Sequence, residues 1–521
     1  MKKLIKLITV TLSFLMMFTS LVACGGGGGS NDGSLEISIY EKGFGYVWLE
    51  TMAADYEEKT GVSVTVIPFY DQDSETALLQ TDSHSSDVLF FISDMSMHAE
   101  EGHLTDITDL VYNQKPYGQE SGKTIKELAH YSDVLNVNRA GRYYSLSYSS
   151  SVQSLLYNKT TLDGLFGENG WEEPRTTNEW IDLLDSIKNN HSATTYPMVS
   201  VADYMEYLVN VWWAQYDGQE KYFDYWRGYD NGEFCAEDPT MAKSQGRLEA
   251  LSMLESVYKK DNGYMHSYTG TFLQDGKAKD GQRTFLSKGY SADGKKVAFF
   301  PCGDWFANEM GDNLMNGQDV RMMNTPVLST IVNTFEDATD KAMTDEQLSE
   351  IIKKIDENKA YSLAEYGCQQ STYEKVKQAR KMIFTNGEQM QAFIPSSSKN
   401  TEEAARFLRY MVSDAAQSFY AQELDGLQMG YGYDPTQDEN VTISSFVQSV
   451  IDCVDEDTIY IYRDFSHALS FRGGLAAFTT NQNKYTDVIY TGTTAQTVFD
   501  DTYSTLKTKW KSEYLKQAGL I

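Results

Sequence analysis

The chain has 521 residues, of which 44 are Lys or Arg and 74 are Asp or Glu, so its formal net charge is −30. So acidic a chain repels nucleic acid and anionic lipid, which argues against both as direct partners. The length is sufficient for two or three domains with hydrophobic cores of their own.

The N-terminus has the features of a bacterial lipoprotein signal. Three lysines lie among the first six residues, and residues 7–22 are apolar and uncharged. This stretch is shorter than the ~20 residues that span a bilayer, so a cleaved signal is favoured over a transmembrane helix. The Leu-Val-Ala-Cys sequence ending at Cys24 matches the lipobox, which predicts a signal peptide of residues 1–23 and a lipid on Cys24. Residues 24–34 are rich in glycine and predict a flexible tether to the extracytoplasmic face of the cell membrane.

Strands and helices alternate at the start of the mature chain. Residues 35–40 alternate between apolar and polar side chains, and residues 62–66 form a second short strand pattern. Between them, residues 47–59 predict an amphipathic helix that Gly61 would terminate. Residues 87–92 are a continuous apolar run, typical of a strand covered on both faces. This alternation predicts an α/β fold with a mainly parallel sheet.

Two later helices are predicted from their first residues. Thr344 followed by Gln347 is a capping-box pattern in front of an apolar stripe. Asn400 followed by Glu403 repeats the pattern before a second stripe. We interpret both stripes as core faces without a functional role.

Motifs typical of enzymes and metal sites are absent from the sequence. There is no HExxH, no GxSxG and no glycine-rich phosphate loop, and the seven histidines are scattered. The sequence therefore predicts no catalytic residues, no metal and no cofactor, although the two carboxylates of a glycoside hydrolase need not be close in sequence. The cysteines other than Cys24 lack metal-ligand spacing, and whether any of them pair stays open; they are Cys235, Cys302, Cys368 and Cys453.

Several segments, in chain order, resemble the extracellular solute-binding proteins of the maltose-binding type, family 1, which serve ABC importers. The segments are Glu58–Val62, Asp87–Asp94, Gly141–Tyr148, Leu155–Lys159, Glu173–Trp180, Gly303–Trp305 and Ile394–Asn400. Their shared order behind a lipobox carries the resemblance. The chain departs from it at Ser147, where these proteins usually have proline, in a longer stretch at 327–391, and in a tail beyond about Gly430 that has no counterpart.

The resemblance implies a two-lobed, periplasmic-binding-protein-like fold with discontinuous lobes joined by a hinge. Lobe 1 would comprise residues 35–148 and 305–393, and lobe 2 residues 149–304 and 394–521. The ligand would lie between the lobes, which close around it by a hinge motion.

Candidate ligand-binding residues follow from the chemistry of sugars and from the resemblance. Sugar sites combine aromatic rings, which stack on C–H faces, with side chains that hydrogen-bond to hydroxyls. Asp94 ends a buried strand, where α/β proteins bind ligands, and matches a sugar-contacting position of the family. The resemblance adds the cleft motif of Asp304 and Trp305. The remaining candidates lie in an aromatic segment, the hinge strand, the first strand–helix loop and a late aromatic loop: Tyr204, Glu206, Trp212, Trp213, Ser151, Phe44, Tyr46 and Tyr431.

The resemblance also implies a function and its partners. A monomeric, non-enzymatic binding protein would capture a carbohydrate, most simply an oligosaccharide, and deliver it to the transmembrane permease subunits of an ABC transporter. Two alternatives stay open: a binding protein for a non-sugar solute such as a peptide or polyamine, and a sensory or adhesive receptor on the same scaffold. Clustered carboxylates around aromatic rings would suit a polyamine, and this acidic chain could supply them.

Overall fold

A computed structural model of the chain describes residues 34–119, 122–129, 137–202, 204–273, 277–289, 292–481 and 488–521. The predicted signal peptide and the lipidation site Cys24 lie outside the described residues. Among the described residues, none of the helices combines the length and the apolar character needed to cross a membrane.

The described strands are β1 Ser34–Tyr40, β2 Ser63–Phe69, β3 Val88–Ile92, β4 Asn138–Arg139, β5 Arg142–Tyr143, β6 Leu146–Ser147, β7 Val152–Asn158, β8 Thr195–Met198, β9 Tyr229–Asp230, β10 Glu233–Phe234, β11 Lys296–Gly303, β12 Val320–Met323, β13 Met382–Thr385, β14 Met390–Phe393 and β15 Ile459–Ile461.

The described α-helices are α1 Val47–Thr60, α2 Gln72–Gln80, α3 Ser96–Glu101, α4 Ile125–Leu128, α5 Lys159–Phe166, α6 Thr177–His191, α7 Met205–Asp217, α8 Gln219–Arg227, α9 Gln245–Tyr258, α10 Thr269–Phe272, α11 Ala278–Phe285, α12 Phe306–Met315, α13 Ala338–Lys341, α14 Asp345–Asp356, α15 Leu363–Tyr366, α16 Gln370–Arg380, α17 Thr401–Met411, α18 Asp414–Glu423, α19 Ser445–Asp452, α20 Ala468–Phe471, α21 Leu475–Asn481 and α22 Ala495–Lys509.

The α/β class is confirmed, and the strands form two main sheets. The first has the order β2-β1-β3-β14-β6, and the second has the order β15-β13-β7-β11-β8 with β12 also paired to β7. Both sheets are mixed rather than mainly parallel. In each, the strands adjoining the lobe connection run against their neighbours: β14 is antiparallel to β3, and β7 is antiparallel to β11 and β13.

Local sequence signals explain where several elements begin and end. Gly61 ends α1 with φ 73°, a left-handed conformation that glycine adopts without strain. Thr344 and Gln347 form the predicted capping box at α14. Asn400 precedes α17 but does not cap it with its side chain. Its amide instead donates to Asp87 Oδ2 at 3.2 Å, so this residue ties the helix to the first sheet.

The two sheets place parts of the chain in a different lobe from the one that the sequence predicts. Residues 305–393 were expected in the first lobe, but β12 and β13 pair with β7 in the second sheet. Residues 394–521 were expected in the second lobe, but α17 and α18 pack on α1, where Tyr410 donates to Asp55 Oδ2 at 2.5 Å. We therefore propose 34–148 and 386–430 as lobe 1, and 149–385 and 445–521 as lobe 2.

The long stretch noted in the sequence is a helical addition to lobe 2. A 3-10 helix at Ser329–Thr334 and helices α13 to α16 enclose a hydrophobic cluster of their own. It is centred on Leu348, Ile352 and Val376, each fully buried. The addition packs beside α7, since the Gln215 side chain donates to Ala379 O at 3.1 Å.

Candidate functional site

The ends of strands from both sheets meet at the junction between the lobes. β3 of lobe 1 and β11, β13 and β15 of lobe 2 all end there, and such carboxyl ends are where α/β proteins bind ligands. Side chains that follow these strands, and those at the start of α7, form a group that we call the interlobe cluster. Its members are Asp94, Tyr204, Glu206, Tyr207, Trp305, Glu388 and Arg463.

Three aromatic rings form one side of the interlobe cluster. Tyr204 and Tyr207 are stacked with ring centroids 5.5 Å apart, and Trp305 meets them edge-on at 6.0 and 6.4 Å. Gly303 permits this arrangement, because a Cβ at that position would collide with the Trp305 indole. All three rings are buried, at 7% exposure each, and Tyr207 also stacks on Phe384 at 5.2 Å, so they form a packed aromatic cluster at the junction. Aromatic rings are the groups on which the apolar faces of sugars stack.

Charged groups form the other side of the interlobe cluster. Arg463 lies 3.5 Å from Glu206, with its Nη1 facing Oε1. Burial acts to lower the pKa of Arg463, but Glu206 and Glu388 outweigh it and raise that pKa. Glu206 also lies in the first turn of α7, where the helix dipole favours a negative charge.

Glu388 lies in the turn Gly387–Gln389 between β13 and β14, where the chain crosses from lobe 2 to lobe 1. It is 8% exposed, and neither carboxyl oxygen has a hydrogen-bond partner among the described residues. Burial raises its pKa to about 8; Arg463 opposes this shift, and Asp94 and Glu206 add to it. A buried carboxyl group without a hydrogen-bond partner is suited to bind a polar group of a ligand.

The lobes also touch beside this cluster. Asn308 on α12 donates to the backbone oxygen of Gly43, in the loop after β1, at 2.6 Å. Arg472 of lobe 2 pairs with Glu100 on α3 of lobe 1. These two contacts therefore connect the lobes in addition to the crossing segments.

Four of the predicted site residues, Asp94, Tyr204, Glu206 and Trp305, are brought together in the interlobe cluster. Asp94 also accepts the Ser96 backbone N–H at 3.1 Å, which fixes the turn into α3. The loop after β1 reaches the cluster at Gly43, where a Cβ atom would lie 3.9 Å from the Cβ of Trp305. Of the two residues predicted there, Phe44 is buried in the core and Tyr46 is half-buried at the start of α1.

Trp212 and Trp213 lie away from the interlobe cluster, in the core of lobe 2. The Trp212 indole donates to Pro326 O at 3.2 Å, and the Trp213 indole donates to Ser244 at 2.8 Å. Both rings are at most 3% exposed. They lie two turns along α7 from Tyr204, which takes them about 12 Å from the cleft.

Ser151 and Tyr431 support the lobe connection and have partners within the chain. Ser151 is fully buried and donates to Asn386 Oδ1 at 2.8 Å, which joins two crossing segments. Tyr431 donates to Ser147 O at 2.8 Å on the lobe 1 side of the same connection. The structure thus places both beside the hinge and not in the interlobe cluster.

Asp304 lines a separate cavity of about 500 Å³, to which Trp305 does not contribute. Its Oδ2 accepts the Val152 N–H at 3.2 Å, while Oδ1 is buried without a partner among the described residues. Burial raises the pKa of Asp304 to about 7. The cavity lies between α19 of lobe 2 and the loop after α18 of lobe 1, so lobe movement would alter its walls.

Sequence reasoning missed Tyr207, Glu388 and Arg463. Tyr207 follows Tyr204 by three residues, and that helical spacing was available as a signal. Glu388 and Arg463 follow the short strands β13 and β15 closely, so identifying those strands would have placed both at the cleft.

Comparisons with known proteins agree with this architecture. Residues 44–282 match the sequence profile of the family described as bacterial extracellular solute-binding protein. No curated protein sequence matches the chain.

Solved structures share the fold over most of the chain at low sequence identity. RafE in complex with raffinose has a TM-score of 0.57 and 12% identity, over 91% of this chain and 99% of that one. The putative binding protein MsmE of Bacillus subtilis has a TM-score of 0.55 and 12% identity, over 93% and 99% of the two chains. A protein of xylan utilization from Caldanaerobius polysaccharolyticus has a TM-score of 0.59 and 12% identity, over 91% and 100%. Residues 44–282, just under half of the chain, thus match the bacterial extracellular solute-binding protein family, and the chain shares its fold with these solved structures.

Proposed function

We propose that the protein is the substrate-binding component of an ABC transporter and that it captures a sugar, an oligosaccharide by preference, in the interlobe cleft. The observation that carries this proposal is the convergence of three rings and several carboxyl groups at one junction, with contributions from both lobes. Rings stack on the C–H faces of a sugar, and carboxylates accept hydrogen bonds from its hydroxyls. The raffinose complex of RafE supports the choice of sugar.

The proposal includes the location and the partners of the protein. A lipid on Cys24 would anchor it outside the cytoplasm as a monomer, and closure of the lobes would present the loaded form to the permease subunits. No hydrolysis of the sugar is part of this role. Metabolic labelling with a radioactive fatty acid tests the anchor, and we expect Cys24→Ala to abolish both the label and membrane retention.

Ligand binding is tested by a thermal-shift screen against mono- and oligosaccharides, followed by calorimetry on the hits. A ligand that binds the folded state alone raises the melting temperature with the logarithm of its saturation. We expect Trp305→Ala to weaken binding of a hit by about tenfold or more, since it removes the central ring. The control is Trp171→Ala, whose ring packs on Tyr157 outside the cleft. Equal losses in both variants would contradict the assigned site.

The role in transport needs a separate measurement. A strain lacking this protein should lose uptake of the sugar identified by calorimetry and regain it with the wild-type gene. Unchanged uptake in the deletion strain would refute the transport role while leaving the binding site intact.

A further inference from the structure

The charges that surround Glu388 come from both lobes and are mostly negative. Asp94 follows β3 of lobe 1, and Glu206 and Arg463 belong to lobe 2. Of these groups, Asp94 and Glu206 raise the pKa of Glu388, and Arg463 opposes them. Two buried tyrosines, Tyr222 and Tyr462, also lie close enough for the charge of Glu388 to raise their pKa values. Three carboxyl groups thus share one guanidinium in this part of the cleft.

No hydrogen bond joins Arg463 to either carboxyl oxygen of Glu388. Arg463 forms an ion pair with Glu206, at 3.5 Å. The next cation along the lobe 2 wall, Arg227, pairs with Asp464 at 2.8 Å. Glu388 therefore remains a buried carboxyl group whose two oxygens lack hydrogen-bond donors among the described residues.

The backbone holds Glu388 in place, so the side chain has little freedom to reach a partner within the chain. Gly387 N donates to Thr385 Oγ1 at 3.0 Å, and Gln389 O accepts from Ser93 N at 2.9 Å. While it is protonated, a buried carboxyl group is satisfied by neutral hydroxyls, but once ionised it needs both hydrogen bonds and a compensating positive charge. Asp94 and Glu206 give its surroundings more negative charge than Arg463 compensates, and an ammonium group supplies both the hydrogen bonds and the missing positive charge.

We propose that the ligand of the interlobe cleft carries a protonated amine that pairs with Glu388. This rests on the proposed function, because it names the chemistry of the ligand at that same site. The Trp305 ring favours the same chemistry, since aromatic faces attract cations. An amino sugar and a non-sugar amine such as a polyamine both carry this group, and binding experiments distinguish the two sources.

Binding of such a ligand is linked to a proton. Because burial raises the pKa of Glu388 to about 8, its carboxyl group is protonated at neutral pH before the ligand enters. Pairing with an ammonium requires the carboxylate, so the proton must leave as the ligand binds. For an alkyl amine, which stays protonated over this range, affinity should then rise by about tenfold per unit between about pH 5.5 and pH 7.

Calorimetry on the full chain tests this with four sets of probes: chitosan oligosaccharides, their N-acetylated neutral counterparts, cello-oligosaccharides, and spermidine with putrescine. If the chitosan oligosaccharides bind and the neutral sugars do not, both the sugar-binding function and the amine on the ligand are supported. If the polyamines bind and none of the sugars does, the amine on the ligand is supported and the proposal that the ligand is a carbohydrate is refuted. Equal affinity for charged and neutral sugars would refute the amine and leave the sugar-binding function standing. Absence of binding by every amine would also overturn the inference.

The release of a proton on binding and the role of Glu388 are tested in separate experiments. For spermidine or putrescine, whose amines are fully protonated at pH 7, titrations in two buffers of different ionisation enthalpy should show close to one proton released per ligand, whereas a less basic amino sugar should release less. Glu388→Gln keeps the shape of the side chain and should abolish both the proton release and the pH dependence, with at least a tenfold loss of affinity. The matched control is Glu402→Gln on the exposed face of α17. Proton release that persists in Glu388→Gln would refute the assignment.

Discussion

The buried carboxyl group of Asp304 should make the stability of lobe 2 depend on pH. Burial raises its pKa from 3.8 to about 7, a shift whose full value is about 4 kcal/mol. The folded state therefore favours the protonated form. This contribution is complete below pH 3.8 and is lost as the pH rises toward 7, because the unfolded chain then releases the proton first.

Asp304→Asn removes this ionisation and keeps the size of the side chain. Between about pH 4.5 and pH 8.5, the stability of the variant relative to the wild type should increase by about 3 kcal/mol. Urea unfolding followed by fluorescence at several pH values measures the difference, with Asp501→Asn on the exposed face of α22 as the control. A difference that stays constant over this range would refute the reasoning, whatever its absolute size.

Three further predictions concern the cleft and the cysteines. Gly303→Ala should weaken ligand binding by about tenfold or more without unfolding the protein, since the new Cβ displaces the Trp305 indole; unchanged affinity in calorimetry would contradict this. Arg472→Ala removes a partly exposed ion pair with Glu100, worth at most about 1 kcal/mol, so affinity should change less than about fivefold and less at high salt. A reducing agent should leave the melting temperature unchanged, because four cysteines are free; a decrease would reveal a disulfide.

Local patterns predicted the elements well and their assignment to lobes poorly. The alternation at residues 35–40 and the apolar run at 87–92 correspond to β1 and β3. Which sheet a strand joins depends on where the chain crosses between lobes. The pattern of residues 382–385 fits either sheet, since both sheets present strand ends to the same junction.

The candidate site was predicted where a residue directly follows a recognisable strand or motif, as with Asp94 and Trp305. Trp212 was misplaced because a ring-rich helical segment does not reveal which turn reaches the cleft. Glu388 and Arg463 follow short strands at the ends of long-range connections. Their roles arise from tertiary contacts, which leave no periodic signal in the sequence.

The position of β14 has a consequence for how the chain folds. This strand lies between β3 and β6 in the first sheet, with Met390 opposite Ile92. Because synthesis starts at the N-terminus, the first sheet stays incomplete until residues 149–385 of lobe 2 have been synthesised. Contacts between residues so distant in sequence slow folding and expose unpaired strand edges in the meantime. A chain of this topology gains from holding factors that delay its collapse until residue 393 has been synthesised.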